Sequence, residues 1–458
     1  MKKKRNYIGI TMFLMVFILI LILGLIFWNT WNDYYRKMMI DPFYEKGSLL
    51  LTVLYLIIYF LFSNIYEGFK IGYLKTSEIM YSQTLSIIFT NIITYMQISL
   101  ISKKLVNPML LLIMTIIEIL VVIIWSFLCN KLYFIIYPPI NMLMIYRNQS
   151  AVNLMSKMKM HKNKYRICQT INVEDGYDSV IEEVDKYEAV IICDLDSTMR
   201  NRILKYCFEK SIRTYITPKI SDLIIQSSEK LHIFDTPLMV CKNQGLSFEQ
   251  KVFKRILDIV LSIAAIIIIS PFMLMIALLI KLYDGGPIIF KQKRLTLNNK
   301  IFEIYKFRSM VVDAEKKGEA RLASKNDSRI TPVGKVIRKV RLDELPQIFN
   351  ILKGDMSIVG PRPERPEIVE QYIKGMPEFS LRTKVKAGLT GYAQIMGKYN
   401  TTPYDKLKLD LMYIGNYSFF MDIKLILMTI KILFMPESTE GIDEGEILPE
   451  LAINKDSE

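Results

Sequence analysis

The chain opens with four long apolar runs, Ile8 to Phe27, Leu49 to Phe62, Leu85 to Ile101 and Met109 to Leu128. A bilayer core about 30 Å thick needs roughly 20 apolar residues of helix to cross it, so each run is read as a membrane span. The second run is short, and the third carries Asn91, Thr94 and Gln97. Lys2-Lys3-Lys4-Arg5 before the first run resembles the start of a signal peptide. The run is longer than a typical signal core, however, and Gly24-Leu25-Ile26-Phe27-Trp28 is a poor cleavage site, so a retained helix is predicted.

From residue 140 to 243 the pattern changes to short apolar runs at Asn141 to Ile145, Arg166 to Ile171, Ala189 to Cys193 and Arg213 to Ile216. Helical stretches near Ser150 to Met158 and Thr198 to Lys210 separate some of them, which predicts a parallel, Rossmann-like sheet. The first run leads into Tyr146-Arg147-Asn148-Gln149-Ser150, without the glycines that let a dinucleotide's pyrophosphate approach the backbone. A structural or regulatory module fits this segment better than a nucleotide site.

A fifth apolar run, Ile256 to Ile280, is interrupted by Ser270-Pro271, and proline removes a helical hydrogen bond. Lys251, Lys254 and Arg255 precede it; Lys281, Lys291, Lys293 and Arg294 follow. A helix that enters the bilayer, bends at Pro271 and returns keeps both basic flanks on one side. A mixed α/β region then runs to Phe434, where Ser418 to Phe434 reads either as a core helix or as one lying on a membrane surface. The segment beyond Pro436 is expected to be disordered. The predicted fold is thus a membrane α-helical bundle of about four spans (1–130), a Rossmann-like α/β domain (131–245) and a mixed α/β catalytic domain with a re-entrant membrane helix (246–435, helix about 254–281), then an acidic tail (436–458).

Composition supports a mixed membrane and soluble chain: 51% of its 458 residues are hydrophobic, and mean hydropathy is +0.25. Net charge is +14 although the tail is acidic, so the body is more basic than the whole. The cations flank the apolar runs and no nucleic-acid motif is present, which favours anionic lipid or phosphate over nucleic acid as partner. Loop cations (Lys70, Lys75, Lys131, Arg147, Lys157 and others against Arg36, Lys37, Lys46, Lys103 and Lys104) place the N-terminus and everything after residue 129 in the cytoplasm. Five cysteines, none in a CxxC pair, fit reduced thiols. From Lys251 onward there is neither Cys nor His, so chemistry in that part falls to carboxylates.

Those carboxylates stand out in Arg341 to Pro363, RLDELPQIFNILKGDMSIVGPRP. Asp343 and Glu344 are adjacent and follow Lys335, Arg338, Lys339 and Arg341, while Arg362 lies in a rigid Gly360-Pro361-Arg362-Pro363 loop. A carboxylate can attack phosphorus, and neighbouring cations stabilise the charge of a transferring phosphoryl group. The plainer reading is a solvated helix start, where acids favour the positive end of the dipole.

Residues 251 to 434 resemble the bacterial sugar transferases, the polyprenyl-phosphate phosphoglycosyl transferases with a single re-entrant helix. The motifs are KRILDI (254–259), GPIIFKQKR (286–294), KFRSM (306–310), RITPVGKVIRKVRLDELPQIFN (329–350), LKGDMSIVGPRPE (352–364) and KAGLTGYAQIMGK (386–398). Four spans and a Rossmann-like domain ahead of them resemble the large subgroup that initiates exopolysaccharide and capsule synthesis. The resemblance implies a bacterial inner-membrane, multi-pass enzyme with its catalytic domain in the cytoplasm. It would pass sugar 1-phosphate from a UDP-sugar, UDP-glucose or UDP-galactose, to undecaprenyl phosphate and release UMP. It implies Asp343 as nucleophile of a covalent phosphosugar intermediate, Glu344 as holder of Mg²⁺ and Arg362 on phosphate, with Arg308 and Arg341 next. Arg338, Lys335 and Lys339 rank lower and are expected on phosphate or, equally, on lipid headgroups; Lys306 and Gln347 are candidates without a role. Membrane lipids and polysaccharide assembly proteins are the remaining expected partners. Where the family carries glycines after the QxR turn, this chain has Leu295-Thr296-Leu297-Asn298-Asn299, and Asn299 tolerates the positive φ needed there. A silent scaffold would be expected to lack Asp343, Glu344 or Arg362. A processive glycosyltransferase would need spaced aspartates on its nucleotide-binding sheet.

Overall fold

The computed structural model describes residues 7–39, 43–148, 150–159, 161–241, 245–312, 329–397 and 401–433. The acidic tail and the first cations, Lys2 to Arg5, lie outside the described residues. The chain divides into two compact units after Pro218.

The first unit begins with helices α1 (Ile8–Thr30), α2 (Glu45–Ile65), α3 (Thr76–Ile101) and α4 (Met109–Ile136). Each is long and apolar enough to cross a membrane. Their outward faces are apolar, while the seams carry polar pairs that find partners inside the bundle, as the absence of bulk water in a bilayer demands. Glu118 accepts hydrogen bonds from Tyr55 Oη (2.6 Å) and Asn91 Nδ2 (2.8 Å), and Trp125 Nε1 donates to the Met15 carbonyl (3.0 Å). The polar residues of the third run, Asn91 and Thr94, are therefore seam residues of a full-length helix.

The four predicted strands all form: β1 (Ile140–Tyr146), β2 (Tyr165–Asn172), β3 (Ala189–Cys193) and β4 (Arg213–Ile216). They make one sheet, order β2-β1-β3-β4, parallel throughout. Hydrophobic clusters cover both faces, with Leu143, Ile145, Val190 and Ile192 to one side and Met142, Met144 and Ile191 to the other. Two-sided burial explains why β1 and β3 read as continuous apolar runs. The helix Tyr177–Val184 was not anticipated, because only Val180 and Val184 mark its buried face.

The boundary between the units falls at Pro218, where a domain limit near residue 245 is expected from the sequence. Residues 220–241 fold with the second unit: helix Ile220–Gln226 packs on Pro403–Gly415, with Ile220 against the cluster of Val369, Phe379 and Leu407. The hairpin Glu229–Ile233 and Thr236–Val240 follows.

The fifth apolar run becomes one helix, α5, from Phe248 to Asp284. Ser247 caps it in a capping box with Gln250, and Gly285 ends it in the left-handed conformation that glycine adopts without strain. Its helical backbone is continuous through Ser270 and Pro271. Both ends are anchored in the same α/β body. Near the start, Lys254 Nζ pairs with Asp422 (2.5 Å), Arg255 donates to the carbonyls of Ile351 and Leu352 (both 2.6 Å), and Asp258 accepts from Ser357 Oγ (3.0 Å) and Ile358 N (2.9 Å). Near the end, Ile276 and Ile280 pack on Phe307 and Ile337. Between the anchors Ile267 and Ile268 are each 70% exposed and Phe272 59%.

The body built on α5 contains the antiparallel hairpin β5 (Ile289–Leu295) and β6 (Ile301–Phe307) and the short parallel pair β7 (Ser357–Val359) and β8 (Gly388–Thr390). At the hairpin turn both Asn298 (φ 54°) and Asn299 (φ 59°) are left-handed, so two asparagines serve where the family places glycine. Helix Phe419–Leu433 is a core helix, not one lying free on a membrane: Asp422, Leu425, Met428 and Lys431 are its buried face, and Thr429 Oγ1 meets Thr390 Oγ1 at 2.7 Å.

Candidate active site

Asp343 and Glu344 lie in a short 3₁₀ turn, Leu342–Glu344, between helices Pro332–Lys339 and Gln347–Lys353. The first of these helices starts with Thr331 as N-cap, accepting from Gly334 N (2.9 Å), and Pro332 in the first turn. Gly334 is required there: a Cβ would lie 2.0 Å from the Ser309 carbonyl oxygen. Arg341 takes a left-handed φ of 55°, unusual for a side chain other than Asn, Asp or Gly, and its carbonyl accepts from Glu344 N (3.2 Å). That reversal throws the two acids off the helix and into the body.

The second helix is fixed to β6 through Asn350, which is fully buried. Its Nδ2 donates to the Glu303 carbonyl (2.7 Å) and its Oδ1 accepts from Tyr305 N (2.9 Å). The next residue of β6 is Lys306, whose Nζ donates to Glu344 Oε1 at 2.8 Å. Arg362 Nη2 donates to the same oxygen at 2.9 Å. The Glu344 side chain is 12% exposed and that of Arg362 44%, so the carboxylate is sunk while the guanidinium still faces out.

The two adjacent acids are driven in opposite directions. Burial pushes the Asp343 carboxyl up and the negative charge of Glu344 adds to this, against Lys306, Arg338 and Arg362. Burial would raise Glu344 as well, but the charges of Arg362 and Lys306 and their hydrogen bonds outweigh it and hold that carboxyl well below the usual range. Neighbouring carboxyls with separated proton affinities are the arrangement expected where they do different jobs. Burial also lowers the Arg341 guanidinium, helped by the charge of Arg362 close by.

The structure brings together Asp343, Glu344, Arg362, Arg341 and Arg338, and adds Lys306, which the sequence offered without a role. Gln347 is buried at the start of the following helix. Arg308, expected on phosphate, is tied up inside the fold. Its Nε donates to the Pro287 carbonyl (2.7 Å) and its two Nη atoms grip Asp284 at the end of α5, one of them at 2.6 Å. With its guanidinium engaged by an internal carboxylate and carbonyl, Arg308 latches α5 to β6. Its partner Asp284 gave no signal in the sequence because it lies 24 residues away.

Among the described residues no group of three or more His, Cys, Asp or Glu surrounds a metal position. The site nevertheless fits Mg²⁺, which commonly takes one or two carboxylates and completes its shell with phosphate and water. Both cations sit on Glu344 Oε1, no hydrogen bond among the described residues reaches Oε2, and Asp343 stands beside it.

The profile of the bacterial sugar transferase family matches residues 249–436. Among relatives, the exopolysaccharide production protein PSS of Rhizobium leguminosarum bv. phaseoli is 40% identical over 187 residues, which are 39% of this chain and 94% of that protein. This chain belongs to the bacterial sugar transferase family. It is 38% identical over 255 residues to the UDP-N-acetylgalactosamine-undecaprenyl-phosphate N-acetylgalactosaminephosphotransferase of Aeromonas hydrophila, covering 54% of this chain and 59% of that one. It is 43% identical over 203 residues to the UDP-glucose:undecaprenyl-phosphate glucose-1-phosphate transferase of Klebsiella pneumoniae, covering 43% and 42%. The chain spans about half the length of these two relatives.

Proposed function

We propose that the protein transfers a hexose 1-phosphate from a UDP-sugar to undecaprenyl phosphate at the cytoplasmic face of a bacterial inner membrane, as the first membrane step of exopolysaccharide or capsule synthesis. The observation that carries this reading is the split pair, with Asp343 raised and Glu344 pinned between Lys306 and Arg362. In the first step an Asp343 carboxylate oxygen attacks the phosphorus that bears the sugar. The bond from that phosphorus to the UMP oxygen breaks, and UMP leaves with the electron pair. In the second step a phosphate oxygen of the lipid attacks the same phosphorus, and the Asp343 carboxylate leaves. A half-buried, poorly solvated carboxylate is both the stronger nucleophile and, joined to phosphorus, a good leaving group. Arg362, with Arg341 and Arg338 nearby, holds phosphate oxygens, while Lys306 keeps Glu344 ionised. Mg²⁺, held by Glu344, would supply further neutralisation of the diphosphate.

Helix α5 is a re-entrant membrane helix in this account. A straight span would carry one of its two anchored ends about 30 Å away from the body that holds the other. Entry and return from one face leaves both anchors intact and exposes the apolar middle of the helix to lipid, with Val260, Ile263, Ile267, Ile268, Phe272 and Leu274 all facing out. The names of several relatives contain glucose, which makes UDP-glucose the first donor to try. Membranes holding the protein, given UDP-glucose labelled in the sugar and undecaprenyl phosphate, should form labelled lipid, and Asp343→Asn should reduce this to background. Lipid labelling that survives in Asp343→Asn would refute Asp343 as the nucleophile.

A further inference from the structure

The loop that carries Arg362 is short of its own donors. Pro361 and Pro363 have no N–H, so they restrict φ but cannot tie the loop to a strand. Its carbonyls are held from outside instead, four in succession. Pro361 O accepts from Gly388 N (2.9 Å) and Glu364 O from Leu295 N (3.1 Å), both main-chain donors. The two carbonyls between them are taken by side chains. Arg362 O accepts from Arg382 Nη2 (3.1 Å), and Pro363 O from Arg294 Nη1 (3.2 Å).

Arg382 is only 4% exposed and is itself fixed. Its Nε donates to Asp410 Oδ2 at 2.9 Å, its Nη1 lies 3.6 Å from Glu364 Oε1, and its guanidinium lies 4.9 Å from the Phe379 ring. Asp410 is buried on helix Pro403–Gly415. Arg294 is placed by β5 and donates its other terminal nitrogen to Gln292 Oε1 (2.7 Å). A planar fork with several donors in fixed geometry can pair with a carboxylate and a carbonyl together, which the single point charge of lysine cannot do at the same spacing.

We propose that Arg382 and Arg294 are positioning residues: they clamp the Arg362 and Pro363 carbonyls from behind and so set where the Arg362 guanidinium stands over Glu344 and the donor phosphate. This rests on the transferase reading above. It assigns to the QxR arginine of β5 and to Arg382 one shared task, exercised only through Arg362. Neither touches Glu344 or Asp343. Displacing a phosphate-binding group by about 1 Å from its productive place can cost on the order of 100-fold in rate.

The test is a double-mutant cycle on the full-length protein in nanodiscs, with UDP-glucose, Mg²⁺ and undecaprenyl phosphate, read as kcat/KM. Arg382→Lys keeps a charge opposite Asp410 and removes the fork. It should lower kcat/KM roughly 10- to 100-fold, and in the Arg362→Lys background it should add less than about twofold. The same factor in both backgrounds would overturn the clamp, since a merely structural arginine weakens both alike. Hydrogen exchange read by mass spectrometry gives a second, activity-independent measure. Amides of the peptide 357–365 should exchange at least about tenfold faster in Arg382→Lys while the hairpin 289–307 keeps its wild-type rates. An unchanged 357–365 peptide, or uniform acceleration everywhere, overturns the proposal. If Arg382→Lys does not accumulate as folded protein, Arg294→Lys enters the same cycle and the same exchange measurement with the same expectations. Failure of the wild type to transfer sugar phosphate would instead refute the transferase reading, and the exchange result would still judge the clamp.

Discussion

At the residue scale, the site turns on how two neighbouring carboxyls become unlike. Asp343 and Glu344 share a turn and a set of cations, yet Lys306 and Arg362 both land on one oxygen of Glu344. Glu344 is therefore ionised under all ordinary conditions, and its charge makes the ionised form of Asp343 harder to reach. The pH dependence has a definite sign. An aspartate raised above the usual value of about 3.9 takes up its proton sooner on acidification, so the nucleophile is lost as pH falls from neutrality, at a higher pH than for an ordinary aspartate. Glu344, shifted the other way, stays charged across that window. The kcat/KM profile should show an acidic limb above about pH 4, with an apparent value belonging to the coupled pair. Arg362→Lys should keep the limb. A profile flat down to pH 4 would contradict the raised Asp343. Asp343, Glu344 and Arg362 stand out in the sequence because a pair of acids and a proline-flanked arginine are local patterns. Lys306, Arg382 and Asp410 do not, because each acquires meaning only from a partner brought in by folding. Arg308, a phosphate candidate by its place in KFRSM, likewise shows its partner Asp284 only in the fold.

At the element scale, hydrophobic patterning located the parallel sheet strands to within one residue, because two-sided burial writes continuous apolar runs, while the long helices extend three to nine residues beyond their apolar runs at most ends. It failed at Tyr177–Val184 and Ile220–Gln226, short helices with only two and one buried residues, too few to set a period. It also left the helix Phe419–Leu433 open between core and membrane surface, because Asp422 and Lys431 read as polar positions when they are buried. Asp422 is buried against Lys254 of α5, an ion pair 168 residues apart in the chain. That pair, the Arg255 contacts and the Asp284 latch are the ties that make α5 an element with two fixed ends. Single cysteines at Lys251 and at Lys300, in a background without native cysteines, should be labelled by a membrane-impermeant thiol reagent only after the cells are opened. External labelling of Lys300→Cys with Lys251→Cys protected would mean that α5 crosses the membrane.

At the scale of the whole molecule, two compact units share one chain. One combines apolar helices with a four-stranded parallel sheet, and the other carries the residues that match the family profile. Beyond Lys251 the chain has neither Cys nor His, so carboxylates are the leading candidates for chemistry in the second unit. A membrane-bound acceptor and a water-soluble donor require a site at the interface, which an anchored re-entrant helix would provide. The central claim is that Asp343 carries the phosphosugar between them, and its most direct test needs no acceptor lipid. Protein in membranes from which polyprenyl phosphate has been extracted is incubated with unlabelled UDP-glucose and labelled UMP. Reversible formation of an Asp343 phosphosugar predicts label appearing in UDP-glucose, abolished by Asp343→Asn. A preparation that transfers sugar phosphate when lipid is restored, yet exchanges no label without it, would contradict the covalent mechanism.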